Sequence, residues 1–284
     1  QFFVGKRTIV RDGLADEAFA GNADRRDEVV GAVLRGLQYL MVFGVAGLVW
    51  VGAALRRPDE PPPVGRLAGA ATAVALLVAL AQLPVQASLA TGRGWGSISE
   101  SGVLDLALAD GVGWALAVTG LGLLCLLVTT GLPFNGPVRV FALLGAALAP
   151  LGLVLTGHTR SMSPAFVAYL ADGAHVVAGS VWFGGLLALL VAVRRRRRAG
   201  DAAGAVEAVA RYSGWAGLAL AAVAISGTAL GWIEVRGLHA LTSTAYGRLL
   251  MIKVGLVGLV ALAAAWNRFR LVPALLGDRV ADSL

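Results

Sequence analysis

An all-α, polytopic membrane bundle is the fold class this sequence predicts, and three observations predict it. Of its 284 residues 57% are hydrophobic and only 14% charged, and the mean hydropathy of +0.76 is higher than a water-soluble domain needs. Apolar windows of about 20 residues, the length that crosses the ~30 Å hydrocarbon core as a helix, recur seven times along the chain. The basic residues gather in alternate connections between these windows. The net charge of +7 is therefore a topology signal, and no nucleic-acid partner is expected.

The predicted spanning helices cover residues 30–55, 67–89, 111–132, 138–158, 164–193, 206–233 and 247–269. Arg56, Arg57 and Arg66 flank the first connection, Arg139 lies in the third, Arg194 to Arg198 fill the fifth, and Arg268 and Arg270 follow the last helix. The remaining connections hold Arg93, Arg160 and Arg236, with Glu100 and Glu234 for balance. The positive-inside rule then places the N-terminus outside and the C-terminus inside, with Arg194 to Arg198 acting on topology and headgroups alone. Residues 1–29 are expected as an extracytoplasmic segment, 30–270 as the bundle and 271–284 as a cytoplasmic tail. The chain opens on Gln1 without an initiator methionine or signal peptide, so a preceding part is expected. Prolines at 61–63 stiffen the first connection. Ser97 and Glu100 have capping-box spacing and are expected to open a short surface helix over 103–110. Gln82 and Gln86 lie four apart beside Pro84, placed to line a polar path or to bond across helices. The single cysteine, Cys125, excludes an internal disulfide or a paired-thiolate site.

Two of the three histidines and one of the three methionines fall within 18 residues, as His158, Met162 and His175, together with Asp172. Ionisable side chains are rare in spans because even the lenient insertion scale charges about 2.5–3.5 kcal/mol for one at the helix centre. Imidazole, thioether and carboxylate together suit copper: methionine favours the reduced ion, and histidine accepts either state. Ser163 followed by Pro164 is expected to start the fifth helix sharply, with proline at its first position. Asp172 and His175 share a helix face, near the outer boundary by the rise from Arg194. Trp182 follows His175 on nearly the same face and shields it; Gly184 and Gly185 permit close helix contact. Lys253 either snorkels to the headgroups or acts as counter-charge to Asp172, and His239 is a solvated residue or an entry ligand. The bland alternatives stand beside these: interfacial histidines, a packed methionine, and an aspartate paired with Arg160.

Gly157 with His158, Asp172 and His175 with Trp182, Gly184 and Gly185, Thr244 to Gly247 with Leu250 and Lys253, and Asn267 with Arg268 ahead of Pro273 resemble the CopD family of bacterial copper-resistance and copper-uptake membrane proteins. The resemblance implies a multi-pass protein of the bacterial cytoplasmic membrane that binds and transports copper. It also implies an eighth span beyond this chain. Phe2 to Gly5 is similar to the last strand of a CopC-like extracytoplasmic copper domain, which the resemblance makes a candidate donor partner. The alternative left open is a redox protein in which His158 and His175 are the axial ligands of a b-type haem. An enzyme is not expected, since zinc-protease, nucleophile-elbow and phosphate-loop motifs are all absent from the sequence.

Overall fold

The computed structural model describes residues 25–109, 111–155, 164–235, 238–266 and 269–270. Its helices are α1 (Arg25–Leu55), α2 (Arg66–Thr91), α3 (Val103–Ala107), α4 (Val112–Val128), α5 (Gly136–Leu153), α6 (Ala165–Arg198), α7 (Ala202–Val235), α8 (Leu238–Ser243) and α9 (Ala245–Trp266), with a 3-10 turn at Trp95–Ser99. Among the described residues six helices are long and apolar enough to cross a membrane, and the 17-residue α4 is a shorter apolar helix beside those six. At ~1.5 Å per residue α4 is about 25 Å long, at the lower limit for a span. The protein is a polytopic helical membrane bundle. Large side chains such as Leu67, Leu77, Trp114, Phe166, Leu218 and Trp232 point outward, which is stable only against lipid.

α1 lies at the centre, packed against α2, α5 and α6 and touching α7. Its Val42, Val45, Ala46, Val49 and Val51 are all at most 3% exposed. Glycine sets how near its neighbours come. A Cβ at Gly47 would lie 1.9 Å from the Ser180 carbonyl oxygen, and one at Gly184 would lie 2.4 Å from that of Phe43. α1 and α6 therefore meet backbone to backbone. α4 and α5 do the same, since a Cβ at Gly122 would lie 2.4 Å from the Ala149 nitrogen. The Tyr212 hydroxyl of α7 donates to the Trp182 carbonyl of α6 at 2.6 Å. α9 is the exception: it leans on α8, touches α7 only lightly, and among the described residues nothing buries its apolar stretch.

Several helix ends differ from the sequence expectation. α4 stops at Val128 because the hydroxyls of Thr129 and Thr130 turn back onto the Leu126 carbonyl and Gly131 adopts φ 76°. α6 begins at Ala165, with Pro164 as its cap instead of its first residue, and continues through all five arginines. The expected capping box does not form. Ser97 bonds back to the Gly94 carbonyl, Glu100 pairs with Arg93 at 2.6 Å, and α3 starts from Gly102 at φ 78°. Of the segment 1–29 expected outside the bundle, residues 25–29 already belong to α1, while 1–24 and the expected tail 271–284 lie outside the described residues.

Candidate metal centre

Of the four predicted ligands, His158 and Met162 lie outside the described residues. Asp172 and His175 sit on α6, both half-buried. His175 faces α7, where its Nδ1 is 3.1 Å from Ser226 Oγ. The Ser226 hydroxyl directs its proton back to the Ala222 carbonyl at 2.5 Å, with the Val223 carbonyl at 3.3 Å. With that proton engaged, the Ser226 oxygen can accept from Nδ1, and the Val223 carbonyl is a second acceptor for the His175 ring. In the Nδ1–H tautomer the Nε2 lone pair is the one a metal would take. Gly227 makes room for the ring: a Cβ there would lie 3.2 Å from His175 Cε1 and 3.5 Å from Nδ1.

Lys253 on α9 is near enough to act electrostatically on both Asp172 and His175, although its own side chain is exposed. Trp182 is half-buried two turns below His175, and its carbonyl holds Tyr212. His239 is exposed on α8, where its carbonyl receives the Thr242 and Ser243 hydroxyls. Among the described residues no three of histidine, cysteine, aspartate and glutamate gather into a metal-holding group.

Ser226 and Gly227 are absent from the sequence expectation. Their signal was a small polar residue beside a glycine inside an otherwise apolar helix. Two more polar contacts lie at this half of the bundle. Asp27 on α1 accepts from Ser88 on α2 and, at 2.9 Å, from Trp95 Nε1. Gln82 on α2 donates across to Gln38 on α1, so this glutamine bonds between helices.

At the other end, Arg196 is buried, a correction to the reading of its run as topology alone. Its Nε donates to Glu60 at 2.8 Å, Nη1 to the Gly204 carbonyl at 2.8 Å and Nη2 to the Leu55 carbonyl at 2.7 Å. Burial opposes the charge on Glu60, but hydrogen bonds from Arg196 and from the Arg57 amide outweigh it and hold its carboxyl below the usual range. Arg57 adds pairs to Asp201 at 2.6 Å and Glu207 at 2.7 Å. The α1–α2 connection is thereby tied to the turn between α6 and α7.

The chain as a whole is similar to known proteins. The chain is 33% identical over 198 residues to the copper transport protein CutJ of Bacillus subtilis, covering 67% of this chain and 36% of that protein. It thus spans about a third of that relative's length. It is 29% identical to the inner membrane protein YebZ of Escherichia coli, over 84% of this chain and 82% of the relative. With the copper resistance protein D of Pseudomonas syringae pv. tomato it shares 26% identity, over 83% and 79% of the two chains. No solved structure matches it. The N-terminal domain model of copper resistance protein D-like proteins matches residues 26–165 and the copper resistance protein D model matches residues 206–283, so the chain belongs to the CopD family.

Proposed function

We propose that this protein takes up copper at the half of the bundle that holds Asp172 and His175 and carries it across or into the membrane. The observation that carries the reading is the His175–Ser226 pair, which in the Nδ1–H tautomer would turn Nε2 to a metal inside a bundle where such groups are scarce. Asp172 supplies negative charge on the same face of α6, and His158 and Met162 are the further ligands this reading calls on. The names of the CutJ and Pseudomonas relatives support copper as the cargo. The arginine-rich end faces the cytoplasm in this reading, by the positive-inside rule, and a CopC-like domain outside is the donor. The chain carries no catalytic role in it.

Metal and haem analysis of the purified protein, with and without His175→Ala, tests the reading. Stoichiometric copper in the wild type, lost in the variant, is the expected result. A Soret band lost with His175 would favour the haem alternative instead. Equal copper affinity in both proteins would make the pair a packing device. Asp172→Asn should weaken the divalent ion more than the monovalent one, because the lost attraction scales with ionic charge. His239→Ala should slow capture and leave affinity nearly unchanged.

A further inference from the structure

At the arginine-rich end a cavity of about 400 Å³ opens between the α1–α2 connection and α6. Its inner wall is apolar, built from Leu55, Ala188 and Val191, and its rim carries Arg56, Arg66 and Arg195. Leu67, also on its lining, is 87% exposed and Val191 is 42% exposed. The cavity therefore reaches the perimeter where the bundle meets hydrocarbon.

The charges at this rim are of one sign in effect. Glu60 also lines the cavity, but its carboxylate already receives Arg196 and the Arg57 amide. Arg56 gives Nε and Nη2 to the carbonyls of Glu60 and Pro58, which fixes its head while its charge stays unneutralised. Arg195 is near enough to Glu60 to act on it electrostatically, but among the described residues neither Arg66 nor Arg195 has a carboxylate within ion-pairing distance. The first turn of α2, which carries Arg66, has no side-chain cap, so its amides add positive potential on the same side.

We infer that this cavity is a binding site for an anionic phospholipid, with the phosphodiester among Arg56, Arg66 and Arg195 and an acyl chain along the apolar wall. A soluble anion would use the arginines and leave the wall unexplained; a lipid uses both, and basic pockets between spans are suited to such headgroups. The site is separate from the copper reading, at the opposite end of the bundle.

Native mass spectrometry of the full chain released from mixed micelles tests it, with phosphatidylglycerol and phosphatidylcholine of the same acyl chains as probes. The wild type should retain phosphatidylglycerol preferentially. The double variant Arg66→Gln, Arg195→Gln should lose that preference by roughly fivefold for each arginine removed. Val191→Trp, which fills the wall from the perimeter, should reduce retention while leaving every arginine in place. A melting curve separates these effects from misfolding. Unchanged preference in the double variant overturns the site. Displacement of phosphatidylglycerol by millimolar inorganic phosphate overturns the lipid assignment in favour of a free-anion site.

Discussion

At one end of α6, Arg196 satisfies its guanidinium with Glu60 and two backbone carbonyls. Twenty-one residues earlier, roughly 30 Å along the helix axis, His175 is steadied by Ser226 through Nδ1. Both groups are polar and shielded, yet they are arranged to different ends. A buried charge with each of its three nitrogens answered holds elements together. A half-buried imidazole oriented by a single hydroxyl is, in the copper reading proposed above, the group that meets the ligand.

The largest effect in this comparison should come from Arg196→Ala. It strands Glu60 and two carbonyls, and removing one partner of a buried pair costs about 3–5 kcal/mol. Thermal unfolding in detergent should show a large fall in melting temperature. The double variant Arg196→Ala, Glu60→Ala should recover part of it. If the single and double variants unfold alike, the pair is not the clamp described.

Ser226→Ala should act on the other end alone. Loss of a partner that orients a ligating histidine lowers metal affinity by about 10–100-fold, with little change in melting temperature. Ser226→Thr should restore affinity if the hydroxyl, and not the space it fills, is what matters. Equal copper affinity in wild type and Ser226→Ala would dissolve the contrast between the two ends.

A smaller effect follows from acid. The folded-state pKa of Glu60 is depressed, so its contribution is fully present above the unfolded value of about 4.3. That contribution is lost as pH falls through the lower folded value. Melting temperature should therefore drop as pH is taken from about 6 to about 3, and the drop should be shallower in Arg196→Gln. Identical acid profiles would remove Glu60 from the clamp.

The spans were readable because apolar runs and arginine placement both repeat at the bilayer's own length scale. Their ends were less so: the back-bonding of Thr129 and Thr130 is a local choice that hydropathy does not register. Asp172 and His175 stood out as ionisable residues in an apolar helix. Ser226 did not, because a serine in a span is common and its value depends on which helix faces it. Arg196 was hidden for the opposite reason. Five identical residues in a row carry no mark to say which one turns inward, and only the meeting of α6 with Leu55, Glu60 and Gly204 makes that choice.

The contact between Gly47 and Gly184 has a consequence for leakage. It lies nine residues beyond His175 on α6, about 13 Å nearer the arginine end, and Val42, Val45, Ala46, Val49 and Val51 surround it at this depth of α1. The buried apolar side chains of α1 and the two glycines leave little room for water along this part of the α1–α6 seam. If copper crosses the bundle from His175 along this seam, α1 and α6 would have to part where they now touch backbone to backbone.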